Sequence, residues 1–305
     1  MKTKYSNLKK FFRWLLVLVI SLLLMAILSF YFKPLQTIIA VQKGCLRLNG
    51  IQSRYANING NTIHFFVGGH GPFLLLLHGH PGKAVEWTPI LPLLAKNHRI
   101  IAMDFLGYGD SDAPHTNYSI ALQKQMTLGL LKYLHVDKTV VLGFSMGGWV
   151  ALILAAENPE IISRLVIIDS GGFPLPSSLT PELLTPETLD EFKHLEIIEG
   201  GEPLPDFLVK DYIKNHRDRS YVMKSMVHSL LSTNELMDGR LKGINSPALI
   251  VWAKDDHLIP FSIAEKIHEQ LPRSEVKLYE NCGHLILWNC TQRVLPDILN
   301  FIDKP

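Results

Sequence analysis

Residues 138–158 read KTVVLGFSMGGWVALILAAEN. A short, β-branched apolar run gives way at Gly143-Phe144-Ser145-Met146-Gly147-Gly148 to a second, longer apolar run rich in Ala and Leu. The first run suits a strand buried on both faces, over 138–144; the second suits a buried helix over 146–157. Only a sharp turn joins them, and its centre reads G-x-S-x-G. A side chain at position 143 or 147 would strike the neighbouring strand or helix, so both positions need glycine. The strain of such a turn pushes the Ser145 hydroxyl out at the C-terminal edge of the sheet. The positive end of the following helix points at the same place.

Outward from this turn the chain alternates. Further strands are expected over 62–67, 73–78, 99–104, 164–169, 248–253 and 275–279, several as continuous apolar runs such as FLLLLH, RIIAMD, RLVIID and ALIVWA. Helical patterns fall near 84–96, 119–135, 262–271 and 291–303. Strands buried on both faces and separated by helices imply an α/β fold with a mostly parallel sheet flanked by helices. The alternation breaks between Gly172 and Ser246, where charged amphipathic segments such as LPDFLVKDYIKNH occur and no strand run does. The expected division is therefore a core over 50–172 and 247–305, with an inserted helical cap over 173–246.

A serine hydroxyl becomes a nucleophile only with a general base, and the base needs an orienting acid. The G-x-S-x-G turn between strand and helix resembles that of the α/β hydrolases, and this resemblance implies the chain order Ser, acid, His. His284, in Asn281-Cys282-Gly283-His284 after the run EVKLYE, is the expected base. Asp255 and Asp256 follow the strand ALIVWA and compete as the acid; Asp169, closing RLVIID, is a third candidate. The oxyanion of an acyl intermediate needs donors. The Met146 amide should be one, and the His80 amide, in His78-Gly79-His80-Pro81-Gly82, the other. The His80 ring reads as pocket wall.

The chain of 305 residues is 47% hydrophobic and 19% charged with a net charge of +2, which excludes a disordered or strongly polyanion-binding chain. Residues 14–32, WLLVLVISLLLMAILSFYF, carry no charge. As a helix they span about 29 Å, close to the hydrocarbon thickness of a bilayer. Aromatic residues flank both ends, and the run closes in Phe-Tyr-Phe-Lys-Pro, a poor leader-cleavage site. The segment reads as an uncleaved anchor, between a basic tail over 1–13 and a linker over 33–49. Ten Lys and Arg precede the first acidic residue, Glu86, and they flank the apolar run, which favours a membrane over nucleic acid. Five of them (Lys2, Lys4, Lys9, Lys10, Arg13) lie before the run, and Lys33, Lys43 and Arg47 lie after it. This bias puts the N-terminus inside and the catalytic domain outside the cytoplasm. Cys45, Cys282 and Cys290 fit no zinc or disulfide framework and read as free thiols, Cys282 and Cys290 being able to pair in an oxidising compartment.

The stretches HGHPG at 78–82, DFLGYGDSD at 104–112, GFSMGG at 143–148, WAKDDHLIP at 252–260 and NCGH at 281–284 occur in an order that resembles the α/β-hydrolase fold family, in its serine-nucleophile branch with a cap. The family pattern W-G-x-x-D-x-x-[IV]-P aligns its aspartate with Asp256, so the resemblance implies Ser145, Asp256 and His284 as the catalytic set. Ala253 stands where the family has glycine, and His80 where a bulky aromatic is common. The resemblance implies ester hydrolysis without metal or cofactor. With the anchor, it resembles the membrane-bound monoacylglycerol lipases, which favours lipid or acylglycerol esters. C–C bond hydrolases and haloperoxidase-like enzymes share the layout. Some members keep the triad but act as ligand receptors, because fold does not fix function.

Overall fold

In the computed structural model, which describes residues 2–232 and 234–304, the turn at Ser145 sits at the middle of an eight-stranded sheet. The strands are β1 Gln52–Ile58, β2 Asn61–Gly68, β3 Phe73–Leu77, β4 Arg99–Met103, β5 Thr139–Phe144, β6 Ile162–Ile168, β7 Ala248–Ala253 and β8 Ser274–Tyr279, in the order β1-β2-β4-β3-β5-β6-β7-β8. β1 and β2 pair antiparallel, as do β2 and β4; every later pairing is parallel.

The parallel strands β3 to β7 are largely buried on both sides because alternate residues enter different cores. Val141, Ile167 and Ile250 point into one cluster, with Leu75 and Leu77; Val140, Leu142, Val166, Ile168, Leu249 and Val251 point into the other. Each fully buried Leu, Ile or Val contributes about 1.5–3 kcal/mol. The apolar runs are thus two half-cores written on one strand. β1 was not expected, since most of its residues are exposed and it carries no apolar run.

The helices are α1 Lys2–Phe32, α2 Pro34–Leu48, α3 Leu91–Leu94, α4 Ile120–Tyr133, α5 Met146–Glu157, α6 Pro181–Leu184, α7 Leu189–Glu199, α8 Asp206–His216, α9 Ser220–Leu231, α10 Ser262–Gln270, α11 Ile286–Asn289 and α12 Thr291–Ile302. α4 starts at Ser119, whose hydroxyl accepts from the Leu122 amide and so satisfies one free N–H of the first turn. The helix expected over 84–96 is instead a 3₁₀ turn, Ala84–Trp87, and the four-residue α3. Pro89 and Pro92 interrupt the stretch; proline lacks an N–H and disfavours helix in the residue before it. Helices α6 to α9 all lie between β6 and β7, in the stretch without strands.

The N-terminal region departs from the expected layout. The basic tail is continuous with the apolar run in α1. The Lys2, Lys4, Lys9 and Lys10 side chains lie outside the described residues. Within α1, Phe11–Phe32 is long and apolar enough to cross a membrane, and none of its described side chains is buried by the rest of the chain. The expected linker over 33–49 is largely helix α2, with Pro34 at its first turn, where the missing N–H costs nothing. Leu46 and Ile51 are fully buried in the second core, so this end of α2 is fixed to the domain.

Candidate active site

The local sequence explains the turn. A β-carbon on Gly147 would lie 2.1 Å from the Leu77 carbonyl oxygen, and one on Gly143 would lie 2.4 Å from that of Gly147. Ser145 itself has φ 53° and ψ −117°. That conformation costs a non-glycine residue roughly 1–3 kcal/mol, held in place by the packed strand and helix on either side.

His284 and Asp256 reach this serine from the other end of the chain. His284 Nε2 is 3.0 Å from Ser145 Oγ, and His284 Nδ1 is 2.7 Å from Asp256 Oδ2. With Nδ1–H donating to the carboxylate, Nε2 is left to accept the serine proton. The other Asp256 oxygen accepts from the amides of Leu258 and Ile259, both at 2.8 Å, which fixes the carboxylate plane. All three residues are buried. Burial opposes protonation of His284, but the charge and hydrogen bond of Asp256, with a contribution from Glu199, outweigh it and raise the imidazole above its ordinary range.

The two rival carboxylates lie nearby in other arrangements. Asp255 turns away from the imidazole ring and accepts from the amides of Cys282 and Gly283, both at 3.1 Å. It holds the loop that carries His284. Asp169 is fully buried, and its Oδ1 accepts from the Ala253 amide at 2.9 Å. Burial and the charge of Asp256 raise the Asp169 carboxyl well above its ordinary value.

The expected oxyanion donors sit on two segments packed against one another. Met146 opens α5, and its amide makes no hydrogen bond to a described group. The loop carrying His80 lies so close that a β-carbon on Gly79 would come within 3.1 Å of Ser145 Cβ. His78 anchors this loop: its Nδ1–H donates to the Gly79 carbonyl at 2.7 Å and its Nε2 accepts from the Phe105 amide at 3.1 Å. The His80 ring bonds Tyr108 Oη at 2.7 Å through Nδ1, while Nε2 is buried with no hydrogen-bond partner among the described residues. Burial lowers its pKa to about 3, so the ring is neutral.

Three features of the site correct or extend the sequence reading. Cys282 and Cys290 form a disulfide, with Cα atoms 5.7 Å apart, so the free-thiol expectation is corrected for both. The short helix α11 folds the chain back and brings the two sulfurs together, which a separation of eight residues does not reveal. Cys45 is the free thiol among the described residues. Second, Glu199, the last residue of α7, is half-buried near His284, and the loss of water around its carboxyl raises its pKa to about 7. Third, α2 forms part of the cavity wall. A cavity of 870 Å³ extends from His80, Phe144 and His284 between α7, α8 and α2, the last contributing Leu35, Ile38 and Ile39. This volume falls within the roughly 300–1,000 Å³ of small-molecule sites.

A mostly parallel sheet with a strand–serine–helix turn at its centre, and a histidine loop after its last strand, defines a hydrolase of the α/β type. The chain belongs to the alpha/beta hydrolase fold family, which it matches over residues 72–194 and 209–289. Among its relatives, an uncharacterized hydrolase, YugF, of Bacillus subtilis is 27% identical over 262 residues, covering 75% of this chain and 89% of that protein. A 2-hydroxy-6-oxononadienedioate/2-hydroxy-6-oxononatrienedioate hydrolase of Paraburkholderia xenovorans is 25% identical over 260 residues, covering 79% of this chain and 90% of that protein. Among solved structures, a membrane phospholipase A described as a bacterial virulence factor superposes with a TM-score of 0.79 at 25% identity, covering 95% of this chain and 98% of that one.

Proposed function

We propose that this protein is a membrane-anchored serine hydrolase that cleaves carboxylic esters, with lipid or acylglycerol esters as its substrates. The observation that carries the reading is the Ser145–His284–Asp256 alignment, with its 3.0 Å and 2.7 Å contacts. Ser145 Oγ attacks the ester carbonyl as His284 Nε2 takes its proton. Asp256 stabilises the imidazolium, and the Met146 and His80 amides donate to the tetrahedral oxyanion. Collapse expels the alcohol, which takes the proton back from His284. Water activated by the same imidazole then attacks the acyl-enzyme, releasing the carboxylic acid and free Ser145.

The lipid preference draws on the apolar helix α1, on the cavity volume and on the likeness to a membrane phospholipase A. We read α1 as the anchor, with the core over 50–172 and 247–305 and the cap over 173–246. Its flanking charges favour a domain outside the cytoplasm. The Cys282–Cys290 disulfide supports the same side, because such bonds persist in oxidising compartments. A purified full-length chain should turn over acyl esters in a panel of esters, amides and lipids, and Ser145→Ala should abolish it. Absence of turnover with every acyl ester would reject the reading.

The likeness to the Paraburkholderia C–C bond hydrolase favours a second reading, in which the same serine and histidine cleave a carbon–carbon bond next to a ketone. Turnover of a vinylogous 1,5-diketone in place of esters would select it.

A further inference from the structure

We propose that cap helix α8 lies on an anionic bilayer surface, and that the cavity fills with acyl lipid from that bilayer along the seam between α2 and α8. The proposal deepens the ester-hydrolase reading and rests on it and on the anchor.

The geometry that points to a lipid surface begins with Phe30. It lies two residues inside the end of the apolar stretch Phe11–Phe32, about 3 Å along a helix axis at ~1.5 Å per residue. Its ring meets that of Phe207 with centroids 5.9 Å apart, edge to face. Phe207 is in the first turn of α8 and is half exposed, as is Leu204 just before the helix. An aromatic ring touching the last turn of a membrane span is at the depth of the water–lipid interface, where such rings are favoured. A second tie, the Leu35 amide donating to Asp211 Oδ2 at 3.0 Å, joins the start of α2 to the same side of α8.

Charge continues the pattern. Lys210 and Lys214 follow Phe207 at three and seven residues, which puts all three on one helix face. Both lysines are exposed, as is Lys33 between α1 and α2. Among the described residues none of these three ammonium groups has an ion-pair partner, whereas Lys193 and Lys224 elsewhere in the cap do. An exposed aromatic followed by unpaired lysines suits the boundary between acyl chains and anionic headgroups. The opposite side of α8 turns Leu208 and Tyr212 into the cavity, and α2 turns Leu35 and Ile38 into it. The two helices nearest the membrane are therefore also walls of the substrate cavity. An acyl chain can pass from lipid to Ser145 between them without crossing water, which avoids hydrating its methylenes.

The test uses the full chain in vesicles containing phosphatidylglycerol, with two substrates: a water-soluble short-chain ester and a long-chain fluorogenic ester embedded in the bilayer. Phe207→Ser and the pair Lys210→Gln and Lys214→Gln, none of which lines the cavity, should leave the soluble ester unaffected. They should slow the embedded ester roughly fivefold to tenfold. Equal loss on both substrates, or no loss on the embedded one, overturns the proposal. A nitroxide on Phe207→Cys, in a Cys45→Ser background, should collide with oxygen more than with an aqueous nickel chelate; the reverse also overturns it. If the wild type cleaves neither ester, the hydrolase reading falls, and the nitroxide alone decides whether α8 sits on lipid.

Discussion

The amide of His284 donates a 2.6 Å hydrogen bond to the carbonyl of Glu199, so the proposed base hangs from the last residue of cap helix α7. Gly283 makes the approach possible: a β-carbon there would lie 2.4 Å from that same carbonyl oxygen. Cap and base form one unit. A movement of this end of the cap alters the His284 loop before it alters the sheet.

Ser145→Ala removes the proposed nucleophile and leaves its β-carbon in place. The expected fall in kcat is roughly 10⁶, as for a triad that acts as a unit. A fluorophosphonate probe should label the wild type and leave the variant unlabelled.

The neighbours Asp255 and Asp256 should separate cleanly. Asp256→Asn leaves the imidazole in the wrong tautomer, and kcat should fall about 10⁴-fold. Asp255→Asn weakens two amide contacts that position the His284 loop, and about tenfold, equivalent to some 1.4 kcal/mol, is expected. The limbs of the pH profile should stay in place in this variant. Steady-state kinetics on both decides it; a severe loss confined to Asp255→Asn would reverse the assignment.

The pH dependence follows from the base. His284 must be neutral to take a proton, and Asp256 holds its pKa above the ordinary 6.5. The kcat/KM profile should therefore rise with pH along a limb centred above 6.5. An ionised Glu199 favours the imidazolium, so Glu199→Gln should move this limb to lower pH. A limb that stays in place would show that the Glu199 charge does not reach the ring.

The disulfide closes the loop that contains His284. Replacing Cys282 and Cys290 with Ala should cost about 2–4 kcal/mol of stability. At roughly 2–4 °C per kcal/mol for a domain of this size, calorimetry should show a clear drop in Tm. Turnover should fall as well, because the base loses one of its ties.

Much of the sheet was legible in the sequence for one reason: β3 to β7 bury most of both faces, so each carries a continuous apolar run. β1 escaped because its residues are largely exposed. The Ser145 turn was legible because sterics demand glycine at 143 and 147 whatever the rest of the chain does. Asp255 and Asp256 were not separable from the residues alone, since adjacent carboxylates differ only in which way the backbone turns them. The pairing of Cys282 with Cys290 depends on the fold of α11, and the role of α2 on its docking; neither has a local signature.

A single residue, Lys33, separates α1 from α2, and α2 is pinned to the domain through buried Leu46. With α1 in a bilayer, the protein has no slack to pay out. It cannot cast about in solution like an enzyme on a long leash. Anchored as proposed, it would sweep across one leaflet as a fixed-height tool, and its choice of substrate would be decided as much by what lies in that plane as by the shape of its cavity.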